Sequence, residues 1–356
     1  MRQVERTCVL ERGRKLAYFG GCDYYRLASH PAVQKSLEEG LRRYGLNVSA
    51  SRLTTGNHRL YEELEERLAR FFRFPAAVLV AGGYLSNLVA AQALAGQYLP
   101  ILMDERAHPS LRDAAQLLGC PVKFFRHQDA NDLARAVRAC GREARPVVFT
   151  DGLFAHDGST APLDAYQQVM PPAGLLLVDD AHGAGTLGAH GRGTAEHLHA
   201  PTRRLVQTVT LSKAFGAYGG VILGPAWIKR KIYAGSRIFT GHTPLPLPLV
   251  CAALKSLELF SATPALRERL RENAAYVKAR LRQAGVPVPD HPGPIMFLAP
   301  EKAAIVARLK KALRARGVYP SFIRYPGGPR HGYFRFAISS EHTRAQLDAL
   351  ISGLKE

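Results

Sequence analysis

The chain reads as an α/β protein with a mostly parallel central sheet, helices on both faces, and a smaller carboxyl-terminal α+β domain. Three observations predict this. From Ala76 to Leu223, short apolar runs alternate with helix-length segments, the pattern of strands covered on both sides. Polar residues able to do chemistry follow directly on those runs, where such sheets place their ligands. Prolines at 244, 246 and 248 form a stiff connection into a helix over 250–260, after which a small domain of helices and strands begins at about residue 261.

Residues 1–20 carry little signal. His30-Pro31 opens a helix to about Tyr44, with Val33, Leu37 and Leu41 on one face. A polar, glycine-bearing loop, Ser51-Arg-Leu-Thr-Thr-Gly-Asn-His58, precedes a second amphipathic helix from Tyr61 to Phe72. The first strand is Ala76–Ala81. Gly82-Gly83-Tyr84-Leu-Ser-Asn87 follows it and opens a helix through Leu94. A strand, paired glycines and a helix start make an anion site, because free N–H groups and the helix dipole point there; Tyr84 and Asn87 would add side chains nearby. Further strands are expected at 100–104, leading to His108-Pro109, and at 146–150, leading to Asp151. In the tail, 332–338 alternates as a strand around Arg335.

Two strands end in the residues that carry chemistry. Gly174-Leu-Leu-Leu-Val-Asp179 closes on an acid, with His182 in the turn beyond it. The run Leu205–Leu211 is followed by Ser212 and Lys213. A buried lysine is costly unless neutralised or bonded. One chemistry that uses such an amine is covalent attachment of an aldehyde cofactor, of which pyridoxal phosphate is the common protein-held example. A carboxylate such as Asp179 would keep the pyridine nitrogen protonated, and His182 would reach the ring's phenolic oxygen or the imine. Gly216, Gly219 and Gly220 would let a planar group approach the backbone, and Thr210 would serve as a second phosphate ligand. A lysine capping a strand end is the plain alternative, but the acid and histidine beside it favour a cofactor site.

On these motifs, together with Ser51–His58 and His108-Pro-Ser-Leu, the sequence resembles the α-oxoamine synthases of the fold-type-I pyridoxal-phosphate transferases over about residues 21–342. The resemblance implies catalytic Lys213, His182 and Asp179, with His108 stacking on the ring. Gly83, Tyr84 and Thr210 would complete the cofactor site, and Thr240 would reach the phosphate in a neighbouring subunit of a homodimer with shared active sites. It also implies Arg335 gripping an amino acid carboxylate through its planar fork, and substrate contacts from Asn87 and His58. The implied organisation is a shortened amino-terminal segment (1–45), a large cofactor domain (46–250) and a small domain (251–356). The implied reaction condenses alanine or glycine with acyl-CoA, with loss of carbon dioxide, to an α-amino ketone, as in biotin synthesis. An aminotransferase or carbon–carbon lyase of the same fold would use the same lysine and aspartate. A cofactor-binding regulatory subunit without turnover is a third reading, since Cys22, Arg26 and Ala155 stand where the family carries asparagine, glycine and serine.

Composition bounds the rest. The apolar share is 47% and no run approaches the length of a membrane span. The start lacks a signal peptide's apolar core, so a cytoplasmic protein is expected. Five scattered cysteines suit neither disulfides nor a metal. The net charge is +19, but the basic residues are dispersed and do not alternate with aromatics, so neither nucleic acid nor a membrane is an expected partner. Solvated helix faces, or attraction for an acidic substrate such as coenzyme A, account for the excess.

Overall fold

The computed structural model describes residues 2–324 and 328–355. The chain divides into two compact units. The large unit comprises His30–Phe154 and Thr160–Ala262; the small unit comprises residues up to Ser29, Ala155–Ser159, and residues from Thr263 onward. These cuts at Ser29 and Thr263 differ from the 45 and 250 expected from the sequence. Strand pairing keeps the amino terminus within the small unit, and packing keeps the helix before Ala262 within the large one.

The first 20 residues, read as featureless, form three strands: β1 (Arg2–Glu5), β2 (Cys8–Glu11) and β3 (Arg14–Ala17), an antiparallel meander. Cys8, Val9, Leu16 and Ala17 are its buried residues. Four-residue strands are too short to show a clear period against a charged background.

The large unit opens with α1 (Pro31–Tyr44) and α2 (Arg59–Phe72). Proline at N1 and the His30 ring nitrogen, which accepts from the Ala32 N–H at 3.2 Å, start α1. Leu41, expected on the buried face of α1, is about half exposed. The true contact stripe runs through Gly40, where an added Cβ would meet Pro248 Cα and Cys251 Sγ at 3.0 Å. The sheet and its helices follow: β4 (Ala76–Val80), α3 (Gly83–Leu94), β5 (Ile101–Asp104), α4 (Pro109–Gln116), β6 (Val122–Phe125), α5 (Ala130–Arg138), β7 (Val147–Asp151), α6 (Leu163–Val169), β8 (Leu175–Asp179), α7 (Thr194–His197), β9 (Leu205–Thr210) and β10 (Gly220–Gly224). Three helices close the unit: α8 (Ala226–Gly235), α9 (Arg237–Gly241) and α10 (Leu247–Ala262). The last starts at Leu247, so Pro248 lies in its first turn, where a missing N–H costs nothing.

Strand order is β4-β10-β9-β8-β7-β5-β6. β5 to β9 are parallel, and β10 runs opposite to both its neighbours. The carboxyl ends of β4, β5, β7, β8 and β9 therefore share one edge, which is where the site forms. Strands β4, β5 and β7 are buried at every residue, as their apolar runs require when helices cover both faces.

The small unit adds α11 (Pro264–Gln283), β11 (Ile295–Leu298), α12 (Ala303–Ala315), β12 (Phe322–Ile323), β13 (Tyr333–Ala337) and α13 (Arg344–Leu354). Its antiparallel sheet has the order β11-β13-β12. Phe334 and Phe336 point into its core, and Arg335 between them is only partly covered. His342 is also buried here: its Nδ1 accepts from the Ser339 N–H at 2.9 Å, its Nε2 donates to the Tyr18 carbonyl at 3.0 Å, and its ring stacks on Phe19. Burial pulls its pKa down to about 3, which marks a neutral structural residue. No single described helix is long and apolar enough to cross a membrane.

Candidate active site

The site begins with the end of β8. Leu175 to Val178 are buried and deliver Asp179 to the strand's carboxyl end. Its Oδ2 accepts from Asn87 Nδ2 at 2.6 Å and from the Ser110 hydroxyl at 3.5 Å, and its Oδ1 accepts from the Ala181 N–H at 3.1 Å. These three donors fix the carboxylate's orientation at the strand end. Asn87 is itself fully buried. It donates a second bond to Ser110 Oγ at 2.8 Å and accepts from Thr208 Oγ1 at 2.6 Å. Expected as a substrate contact, Asn87 here has both N–H bonds committed to Asp179 and Ser110.

Lys213 follows β9 and meets His182 from the turn after β8, Nζ to Nε2 at 2.8 Å. The two turns are pressed together, since a Cβ on Gly185 would fall 2.3 Å from Ala214 Cβ, and the backbone there has φ +83°. Only glycine fits. Gly216 and Gly219 take positive φ in the chain reversal, and Gly220 packs where a Cβ would lie 2.3 Å from the Gly82 carbonyl and Ser86 Oγ. They shape the turn and the packing.

The anion cradle expected from the sequence would lie at the start of α3. Gly82 caps the helix without any side-chain bond, leaving first-turn N–H groups available. A Cβ on Gly83 would meet Thr210 Cβ at 2.7 Å, so glycine lets the helix start sit against the end of β9. Thr210 Oγ1 and Ser212 Oγ bond at 2.7 Å beside it. Tyr84 is about half exposed and donates its hydroxyl to Asp113. Its ring meets that of His108 edge-on at 6.1 Å.

His108 caps α4 through Nδ1, which accepts from the Ser110 N–H at 3.2 Å, and its own N–H donates to Asp151 Oδ1 at 2.9 Å. Burial, reinforced by the Lys213 charge and opposed by Asp179, lowers its pKa, so the imidazole is neutral at pH 7. Burial and then the neighbouring Asp179 raise the pKa of Asp151 well above the carboxylate range. That shift favours the neutral form of Asp151. Together these residues line a cavity of about 200 Å³ that includes Gly83, Asp151, Asp179, His182, Thr210 and Lys213.

The structure thus gathers Lys213, His182, Asp179, His108, Gly83, Tyr84 and Thr210, with Asn87 behind them. It also brings in Ser110, Asp151 and Ser212, which sequence reasoning left outside the site; the only available signal was their position one to three residues from a strand end or helix start. His58 and Thr240 do not line the cavity. His58 Nδ1 caps α2 by accepting from the Leu60 N–H at 3.2 Å; Thr240 Oγ1 donates to the Arg237 carbonyl at 3.2 Å. In the small unit, Arg335 Nε donates to the Ala155 carbonyl at 2.7 Å, and its two terminal nitrogens meet Cys22 Sγ at 3.6 and 3.7 Å.

Comparison with known proteins places this geometry among relatives. The profile of the family described as aminotransferase class I and II matches residues 19–354. The chain is 36% identical to a putative 8-amino-7-oxononanoate synthase of Desulforudis audaxviator, covering 98% of this chain and 91% of that protein. It is 35% identical to the 8-amino-7-oxononanoate synthase of Thioalkalivibrio sulfidiphilus, covering 96% and 88%. Among solved structures, serine palmitoyltransferase of Sphingomonas wittichii superposes with a TM-score of 0.93 at 24% identity, over 99% of this chain and 90% of that one. Another, titled serine palmitoyltransferase with a pyridoxal-phosphate internal aldimine, gives 0.93 at 25% identity, over 99% and 90%.

Proposed function

The chain belongs to the aminotransferase class I and II family, and we propose that it is an α-oxoamine synthase of the 8-amino-7-oxononanoate synthase kind. It condenses a small amino acid, alanine or glycine, with an acyl thioester such as acyl-CoA, releases carbon dioxide and yields an α-amino ketone. The observation that carries this reading is one cavity holding the Lys213–His182 contact, the Asp179 carboxylate and an uncapped helix start.

That donor set suits pyridoxal 5'-phosphate, whose aldehyde, ring nitrogen and phosphate call for an amine, an acid and an anion cradle. When bound, the group supplies an aldehyde for covalent capture of an amine and a protonated ring that withdraws electrons. Lys213 Nζ would hold the aldehyde, and Asp179 the ring nitrogen's proton. Gly83, Thr210 and the first N–H groups of α3 would take the phosphate. Neutral His108 offers an imidazole face for stacking. Lys213 and His182, in hydrogen-bond contact, are the pair that removes the substrate's α-proton. Asp151, whose pKa is raised first by burial, lines the same cavity as Asp179.

Arg335 is the proposed carboxylate ligand, because a sulfur is a weak acceptor for a guanidinium fork and leaves its capacity for a carboxylate. A homodimer with shared sites is part of the reading, with Thr240 and the His58 loop facing the partner; exposed Leu41, Leu46, Leu53 and Tyr218 in the large unit support it. A cytoplasmic location completes it.

The test is a set of assays with alanine or glycine and a series of acyl-CoA chain lengths, following coenzyme A and carbon dioxide release. Keto-acid formation without coenzyme A release would mean an aminotransferase instead. Lys213→Ala is expected to lower turnover by about 10³-fold or more while the folded protein still takes up cofactor non-covalently. Normal turnover in that variant would sink the assignment.

A further inference from the structure

A second cavity, of about 440 Å³, opens where β8 begins and is lined by Tyr98, Arg145, Leu175, Arg203, Arg204 and Trp227. All of these belong to the large unit, and none lines the catalytic cavity. Leu175 is the first residue of β8 and Asp179 the last. At about 3.3 Å per residue the two sites lie on the order of 13 Å apart, at opposite ends of the strand. A hollow of about 510 Å³ adjoins it and shares Arg203 and Arg204.

Three arginines converge here; among the described residues no acid lines this cavity, and Asp164 lines the adjoining hollow. Arg204 is fixed by carbonyls alone, donating from Nη1 to Pro171 O at 2.7 Å and from Nη2 to Gln167 O at 3.1 Å. Carbonyls orient a guanidinium without cancelling its charge. Arg145 lies over the Tyr98 ring at 5.0 Å, a contact that also leaves its charge in place. Tyr98 in turn lies nearly parallel to Trp227, at 20° and 6.2 Å between centroids. Tyr98 is buried and Trp227 partly exposed, so the cavity presents a flat indole beside unneutralised cations.

We infer that this cavity is a binding site for a small anion carrying a flat ring, of the nucleoside-phosphate class. The arginines take the phosphate through paired N–H donors, and Trp227 with Leu175 covers the ring. A bare phosphate would use only the cations and an uncharged nucleoside only the apolar wall; a ligand joining both fits the lining. The proposal is independent of the catalytic reading, since the two cavities share no residue.

Trp227 is the chain's single tryptophan, which gives a local signal. Titrating the cofactor-loaded protein with AMP, with excitation at the red edge of the indole band, is expected to change Trp227 emission saturably, at about 1 mM nucleotide or below. Adenosine and inorganic phosphate are each expected to bind at least about tenfold more weakly, and Arg145→Ala and Arg203→Ala, both at exposed positions, to weaken AMP by about tenfold each. Catalytic turnover and the cofactor's absorption band should be unaffected by either substitution. Calorimetry on Trp227→Phe, which keeps a flat ring, should still show AMP binding when the emission signal is gone. Absence of a saturable change up to about 10 mM, equal affinity for phosphate and AMP, or unaltered AMP binding in both arginine variants would each overturn the inference. So would a preference for a single-stranded oligonucleotide over AMP, which would make the face a nucleic-acid surface.

Discussion

Two adjoining aspartates at the end of β8 sit in opposite environments. Asp179 faces the catalytic cavity, where Asn87, Ser110 and the Ala181 N–H hold it. Asp180 faces away, fully buried, and accepts from the Thr194 N–H at 2.8 Å, the Thr194 hydroxyl at 2.7 Å and Gln207 Nε2 at 3.0 Å. Added Cβ atoms on Gly152, Gly183 or Gly193 would all lie within 2.2 Å of its oxygens, so three stretches of backbone close directly around it. Consecutive residues of a strand point to opposite faces. One carboxylate therefore lines the cavity, where the proposed reaction would use it, and the next ties down the turn that carries His182. Identical side chains thus give a proposed catalytic group on one side and a structural clamp on the other.

The contrast can be broken by substitution. The largest effect is expected from Asp179→Asn, which keeps shape and removes the charge: turnover should fall about 10³-fold with an unfolding midpoint close to wild type. If turnover held, Asp179 would not be the ring's acid. Asp180→Asn should do the reverse, leaving turnover per folded molecule within a few-fold but changing the pH dependence of stability. Burial raises the pKa of Asp180 from 3.8 to about 6, so the folded state binds its proton more tightly than the unfolded chain does. This group's contribution is therefore full below about pH 4 and declines as pH rises towards 6, by about 3 kcal/mol. Comparing urea unfolding of wild type and Asp180→Asn between pH 4 and 7 should show that slope only in the wild type; parallel curves would remove the clamp's titration from the account.

Smaller effects sharpen the division. Thr194→Ala removes the hydroxyl donor to Asp180 and should cost about 1–2 kcal/mol of stability, read from the urea midpoint. Asn87→Ala should lower turnover about tenfold and shift the cofactor's absorption pH profile, because the acid it positions loses a charged hydrogen bond. A purely structural Asn87 would change the midpoint and leave that profile alone.

Much of the catalytic edge was legible beforehand because strand-end residues announce themselves. An apolar run that stops at Asp179, or at Thr210 just before Lys213, reports its own carboxyl end. The paired glycines likewise marked the start of α3. The supporting residues were not legible. Nothing in the local sequence around Asn87 signals that its amide will meet an acid 92 positions away, and Ser110 reads as an ordinary helix-start serine. The three amino-terminal strands were missed because each spans four residues, too few for a period to stand out. The dihedrals and neighbours of the glycines after Lys213, which place them in turns and packing, were likewise not legible.

By itself, the sequence determined the α/β class and placed Asp179, His182 and Lys213 beside strand ends, because those depend on hydrophobic period and on residues adjoining a strand end. Only the tertiary structure decided that Asn87 and Ser110 bond to Asp179, that Thr194 and Gln207 enclose Asp180, and that burial raises the pKa of Asp151. Those properties come from burial and from hydrogen bonds between distant segments, and neither exists until the chain has folded.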